Sequence, residues 1–370
     1  MPYGSAPVPL DEYPIHQTPL SLARVGSSDR NFYDRSYFNA HDRSGGTFLI
    51  TGMGVYPNLG VTDAYALVRR GNTQRVVRFS DALKQRDLNL GVGGYRVEII
   101  EPLQRIRLLC EHDDLSFDLA WTGAFPAVQE ERHLILAGDR PIIDASRFAQ
   151  VGSWEGTLNV DGTDIAVDPA VWTGTRDRSW GIRPVGEAEP AGRPNSEGPG
   201  GFWWLYVPLR FDDFAIVVIV QENPDGFRTL NDAVRVWPDG RVEQLGWPRV
   251  HLQYRSGTRI PVSVRLELTT PDGKPLEVEV RAHTFVPLHI GCGYGGDPDW
   301  LHGQWKGENW SSSSVYDLTD PDVAARIPWG VIDHVGQARC GDAEGWGLFE
   351  HASMGRHDPT GFTDWTSVAP

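Results

Sequence analysis

The sequence predicts an all-β protein built as antiparallel barrels or sandwiches, with only a few short helices. Three observations predict it. Strand-sized stretches, some alternating and some continuously apolar, recur at short intervals. Asp-Gly pairs at 161–162, 225–226, 239–240 and 272–273, three of them preceded by Pro, supply the positive φ angles of tight hairpin turns. Finally, 14 Trp, 41 Gly and 27 Pro suit a turn-rich β protein whose large rings face a core or a cavity.

Taken in order, 80-SDALKQRD-87 predicts a turn or two of helix opened by Ser80. Strands are expected at 94-GYRVEIIEP-102, 104-QRIRLLCEH-112 and 115-LSFDLAWTG-123. The longest apolar run, 214-FAIVVIV-220, has the length of a strand and not of a membrane span. Further strands follow at 260-IPVSVRLELTT-270 and 276-LEVEVRAHTFV-286. In the latter, charged residues alternate with Leu276, Val278, Val280 and Ala282, the mark of a strand with one wet face. A second short helix is expected at 320-DPDVAARI-327, capped by Asp320.

The stretch 185-VGEAEPAGRPNSEGPGG-201 is rich in Gly, Pro and Glu and has no periodicity. It divides the chain into an N-terminal β domain at 1–190, a linker at 191–201 and a C-terminal β domain at 202–370. The halves echo each other in 152-GSWEG-156 and 303-GQWKG-307, and each echo is followed by an acid-bearing strand, at Asp177 and Asp333. We therefore expect an internal duplication.

A net charge of -15 repels phosphate backbones and anionic lipid, so neither nucleic acid nor membrane insertion is expected. Cys110, Cys292 and Cys340 are far apart, which excludes a disulfide framework and a zinc knuckle. The first residues, MPYGSAPVPLDEYP, show no secretory pattern, and a cytoplasmic protein is expected. Although 291-GCGYGG-296 matches the dinucleotide fingerprint, 297-DPDWLHG-303 cannot open the helix it needs, so a turn is expected. His283, His289, His302 and Cys292 lack metal-ligand spacing, and GxSxG is absent. No cofactor and no metal are expected.

Strand parity frames the candidate site. Asp177 shares a face with Thr175 and Ser179, while Arg176, Arg178 and Trp180 share the other. Burying one carboxylate beside hydroxyls costs less than burying two unpaired guanidiniums, which favours an inward Asp177. Asp333 shares its face with Val331 and Val335, where desolvation raises its pKa and suits it to donate a proton. His334 points to the opposite face from Asp333. Each acid could instead belong to a structural ion pair. Trp154, Trp180, Trp305, Trp329 and Trp346 are candidate aromatic walls, and Glu350, in 346-WGLFEHASMG-355, is a further acid at the same rim. If the opposite faces line the pocket, Arg176, Arg178 and His334 contact the substrate.

The run 176-RDRSWG-181, with GSWEG before it and GQWKG and IDHVG after it, resembles the AttH-like and carotenoid 1,2-hydratase (hydroxyneurosporene synthase) group. In that group an Asp-His-Asn-Trp-Gly run occupies the corresponding place. Asp177 matches the family Asp, and Trp180 and Gly181 match its Trp-Gly pair, while Arg178 and Ser179 depart from His and Asn. The resemblance implies two lipocalin-like barrels in tandem, related to hydratases and fungal cyclases. Together with the acids it suggests a cofactor-independent hydratase, dehydratase or isomerase for a hydrophobic isoprenoid- or polyketide-like molecule, with Asp177 and Asp333 as catalytic carboxyls. A carrier for a small apolar ligand is the alternative, followed by a carbohydrate-active β protein.

Overall fold

The computed structural model describes residues 6–15, 24–84, 88–137, 139–188 and 200–370. Residues 191–199 of the expected linker lie outside them. Two antiparallel sheets account for the fold, one of 14 strands and one of nine. The strands expected from alternation form at Tyr95–Glu101, Arg105–Cys110, Leu115–Gly123, Pro261–Thr269 and Pro275–Pro287. Asp320 caps the expected short helix at Pro321–Ala324 by accepting from the Asp322 and Val323 N–H groups. The other expected helix does not form as such, because Ser80–Ala82 complete the strand Thr73–Ala82 and residues 85–87 lie outside the described set. The fingerprint-like glycines 291, 293 and 295 occupy a turn at positive φ, as expected. No helix of the described residues is long and apolar enough to cross a membrane.

The strand orders reveal the duplication. In the first sheet Phe32–His41 is flanked by Thr47–Tyr56 on one side and by Thr173–Ile182 on the other, followed by Arg140–Val160. In the second, Gly201–Arg210 is flanked by Ala215–Glu222 and by Ala343–Gly355, followed by Ile332–Cys340. In both, the opening strand of the half pairs with its closing strand. The counterpart of the Asp177 strand is therefore the Glu350 strand, not the Asp333 strand. The GxWxG echo is not part of this correspondence: Trp154 lies within the strand Arg140–Val160, whereas Trp305 lies in a loop. One strand breaks the division into halves, since Trp310–Asp317 pairs with Thr73–Ala82 at the edge of the first sheet.

Each sheet curls so that one face closes on its own core. The first encloses Phe38, Leu119, Trp121 and Trp154, and the second encloses Leu205, Val218, Leu266 and Phe349. The opposite faces meet back to back in a shared core with Tyr37, Ile50, Ala149, Tyr206, Val335 and Leu348. Strands between two cores have no wet face. This is why Ala215–Glu222 and Thr47–Tyr56 are buried throughout, and why the first of them contains nearly all of the longest apolar run of the sequence. Pro275–Pro287, by contrast, buries Val278 and Val280 and exposes Glu277, Glu279 and Arg281.

Trp154 anchors the first core. Its indole N–H donates to the Asn39 carbonyl at 2.8 Å, and its ring meets Trp121 edge-on with centroids 5.0 Å apart. The close approach depends on Gly174, where a Cβ would stand 1.9 Å from the Asn39 oxygen and 2.8 Å from the indole nitrogen. Gly174→Ala is expected to destabilise the fold by about 1–3 kcal/mol through overpacking, read from the urea midpoint. An unchanged midpoint would show that the strands part without cost.

Candidate active site

The back-to-back faces do not close completely. Between them lies a cavity of ≈ 190 Å³, lined from the first sheet by Arg35, Tyr37, Arg147 and Asp177 and from the second by Phe202, Trp204, Ile219 and Glu350. Parity explains the membership. Tyr37 stands opposite Asp177 and Arg35 opposite Ser179, while on the other flank Ala149 faces Asp177 and Arg147 faces Ser179. All these side chains leave the first sheet on the same face. The same geometry recurs in the second sheet, where Tyr206 stands opposite Glu350 and Asp333 flanks Glu350 on its other side.

The two sheets are joined at this level by a buried polar chain. Asn39 Nδ2 donates to Tyr37 Oη at 3.3 Å, and the Tyr37 hydroxyl donates across the interface to Asp333 Oδ2 at 2.5 Å. Asp333 is fully buried and adjoins Glu350, whose carboxylate also accepts from the Trp204 indole N–H. Burial lifts Asp333 well above the usual carboxylate range, and the charge of Glu350 adds to the effect; Tyr37 only partly offsets it. Burial raises Glu350 as well, against the stabilising pull of Asp333 and Arg147. Two such carboxyls in a low dielectric share a proton, and the stronger upward push on Asp333 leaves it as the protonated member.

Asp177 is set differently. Burial pushes it up to about 7, opposed mainly by Arg147 and reinforced by Glu130 and Glu350. A carboxyl poised there exists in both forms at neutral pH, which suits a general acid or base. Arg147 is positioned by Glu130, which accepts from its Nε at 2.5 Å, and its guanidinium lies 4.4 Å from the Tyr206 ring centroid. Burial and Arg147 lower His133 to about 4, so it is neutral, stacked on Trp204 and bonded to Gln221 at 3.1 Å.

Several residues singled out in the sequence lie elsewhere. Arg176 and Arg178 do face away from Asp177, but they do not line the cavity. They are buried among paired groups: Arg176 forks onto Glu12 at 2.6 and 2.8 Å, and Arg178 pairs with Asp34 and donates to the Glu12 carbonyl. Glu12, the acid that pairs Arg176, comes from a distant N-terminal turn, Pro9–Glu12, which no local pattern announced. Trp154 is core, and Trp180 packs edge-on against Phe148. Trp305 and Trp329 are 50% and 38% exposed outside the cavity. Trp346 packs against His41 and His283, also away from it. His334 is buried on the opposite face, where its Nδ1 meets the Phe349 carbonyl at 3.0 Å. Asp333 is not part of the cavity lining; it stands behind Tyr37 and Glu350, which are. Trp204, Tyr37, Arg147 and Arg35 were missed, because strand parity places them only once their partners across the sheet are known.

The raised Asp177 makes stability depend on pH in a definite sense. Between the unfolded value, about 3.9, and the folded value the native state binds more protons than the unfolded chain. The contribution is fully present below about pH 4 and is lost as pH rises toward 7. Asp177→Asn should remove that slope: relative to wild type, its urea midpoint should improve from about pH 5 to about pH 8. Parallel curves would place the Asp177 pKa near its ordinary value.

The chain shares its overall fold with kievitone hydratase from Nectria haematococca, at 15% identity and TM-score 0.50 over 92% of this chain and 94% of that one. It is similar likewise to an AttH candidate from Nitrosomonas europaea, at 12% identity and TM-score 0.53 over 92% and 98%. CghA matches at 13% identity and TM-score 0.50 over 87% and 88%. The fold is thus AttH-like, as the short motifs implied. No curated protein matches the sequence. A family model covers residues 8–363, and the chain belongs to that family, the family of unknown function DUF8625.

Proposed function

We propose that the inter-sheet cavity carries out cofactor-independent proton-transfer chemistry, hydration or dehydration of a small molecule, with Asp177 and Glu350 as the groups that touch it. The observation that carries this reading is a single raised carboxyl, Asp177, on one wall and the coupled carboxyl pair of Glu350 and Asp333 at the other. That is the arrangement in which one group gives a proton while the other takes one.

In the hydration direction the protonated Asp177 carboxyl gives its proton to one carbon of a C=C bond. Water adds to the other carbon, and its proton passes to Glu350, whose neighbour Asp333 holds the pair's first proton. The product is the alcohol, and exchange with solvent through the cavity mouth removes the proton from Glu350 and returns one to Asp177, which restores the starting state. Dehydration is the reverse. Asp333 and Tyr37 act as positioning residues, fixing the orientation and basicity of Glu350. A hydratase stands among the neighbours in fold, and this carboxyl set supplies what such a reaction needs.

The cavity's composition narrows the route. Trp204 is the one tryptophan of its lining among the described residues, and its ring is stacked against His133 and Phe202. With its faces so occupied and the Arg147 guanidinium 5.3 Å from its centroid, it does not offer the open aromatic surface a free carbocation requires. Proton transfer through an enol-like state, in which charge develops on a conjugated oxygen, fits these surroundings better. A volume of ≈ 190 Å³ admits one small ring system or the reacting end of a longer molecule.

The test is incubation of the enzyme with a panel of small enones, styrenes and their hydrated forms in deuterated water, read by mass spectrometry for addition or exchange. On any compound turned over, Asp177→Asn and Glu350→Gln should each slow turnover by roughly 10²–10⁴-fold, the usual worth of a general acid or base. Asp333→Asn should slow it less and shift the alkaline limb of the pH profile. Full turnover in Asp177→Asn would overturn the mechanism.

A further inference from the structure

One end of the cavity is basic in a way the acid–base scheme does not use. We propose that Arg35 and Arg183 form a clamp for an anionic group, a carboxylate, on the substrate. Arg35 is 5% exposed, its two terminal nitrogens reach His302 Nδ1 and Nε2 at 2.6 and 3.0 Å, and its buried Nε has no partner. Arg183 reaches the same imidazole, Nδ1, at 3.2 Å, and its guanidinium carbon lies 4.9 Å from the centroid of Tyr33 and 5.7 Å from that of Tyr294. Both arginines and both tyrosine rings line the cavity.

The donor count shows what is missing. Burial and the two neighbouring guanidiniums keep His302 neutral, and its ring also engages the Cys292 carbonyl. A neutral imidazole with one N–H has a single acceptor lone pair, yet three guanidinium nitrogens converge on it. Among the described residues neither arginine has a carboxylate within ion-pair distance. Asp63, whose charge Arg35 feels, is engaged by the Tyr56 hydroxyl at 3.0 Å and the Gly303 N–H at 2.7 Å. Of the other buried guanidiniums, Arg176 and Arg178 are matched by the carboxylates of Glu12 and Asp34, and Arg259 by backbone carbonyls of Ser353, Gly355, Asp364 and Ser367. Two unmatched guanidinium groups at a cavity wall, one of them fully enclosed, lack an anion that a ligand would supply.

The chemistry of the walls selects the anion. Glu130, Asp177 and Glu350 line the same space, so a dianionic phosphate would meet more repulsion than a single carboxylate. A planar carboxylate also matches the guanidinium fork. Ser179, opposite Arg35, lies two strand residues beyond Asp177, which sets the anion roughly 7 Å from the reacting group. The substrate is then an unsaturated or hydroxylated acid whose reacting carbons stand several bonds from its carboxylate. The distal end lies against Phe202, Ile219 and Val331.

This assignment rests on the acid–base reading for where reaction occurs, but its binding test does not. The full chain is titrated calorimetrically with benzoate and cinnamate, with benzamide and cinnamamide, and with inorganic phosphate. The acids should bind at millimolar concentration or better and the amides should not. Arg35→Gln and Arg183→Gln should each weaken the acids by roughly tenfold to hundredfold, the worth of a charged hydrogen bond, while remaining folded by circular dichroism. Asp177→Asn should bind the acids at least as well as wild type, so loss of turnover and loss of binding are separable. Equal binding of acid and amide, tighter binding of phosphate, undiminished acid binding in Arg35→Gln, or no binding of either acid at millimolar concentration would each overturn the carboxylate clamp. Acid binding with no proton exchange on any unsaturated acid would leave the clamp standing and remove the acid–base reading instead.

Discussion

The hydroxyl of Tyr37 crosses from one sheet to the other to meet Asp333, and much of the molecule is arranged to permit that contact. A carboxyl with no exposure, flanked by a second carboxyl, is stable only if a proton stays between them and the pair is supplied with donors. Tyr37 supplies one and Trp204 another, from opposite sheets. Because each donor sits on a strand buried on both faces, a one-residue slip in either strand would turn it into the wrong core. The polar chain thus fixes how the two backs are registered, while the apolar shared core around it, with Ile50, Ala149, Val335 and Leu348, provides the driving force for association.

The same chain explains how a duplicated architecture holds two unlike acids. Asp177 and Glu350 occupy equivalent places on the closing strands of the two halves, each opposite a tyrosine on the opening strand. What differs is the third strand. Beside Asp177 it presents Ala149, with Arg147 next along the same face; beside Glu350 it presents Asp333. Burial raises both acids; Arg147 opposes the rise at Asp177, and a shared proton with Asp333 opposes it at Glu350.

The all-β class, the hairpin turns and the wet-faced strands were legible because each leaves a local mark: Asp161 and Gly162 both adopt positive φ, and the alternation in Pro275–Pro287 matches its burial. Asp177 and its flanking arginines do face opposite ways, but the sides are reversed from the expectation: Arg176 shares the face of Phe38 toward the first core, where Arg176 and Arg178 are matched by Glu12 and Asp34, and Asp177 leaves with Tyr37 on the outer face toward the space between the sheets. That pairing spans 164 residues for Glu12 and 144 for Asp34, and no local window contains it. The tryptophans misled for a related reason. A Trp-rich sequence announces that large rings are needed somewhere, but Trp154 fills a barrel interior while Trp204 fills a gap between barrels, and only topology distinguishes the two. The repeat was sensed through GxWxG, yet its true carriers are tyrosine–acid pairs separated by more than a hundred residues.

The location of the cavity follows from how the interiors are filled. A lipocalin-like barrel binds ligands within when its inward residues leave room. Here the inward faces carry Trp121, Trp154 and Phe38 in one half and Leu205, Leu266 and Phe349 in the other. The space that remains lies where two convex sheets diverge, and it inherits the outward residues of both. Outward faces of a β protein are where charged side chains normally stand. Joining two such faces therefore encloses arginines and carboxyls that a single barrel would have left in water. Enclosure strengthens their fields, and this is what turns ordinary surface residue types into a set of carboxyls with raised proton affinities beside a basic end.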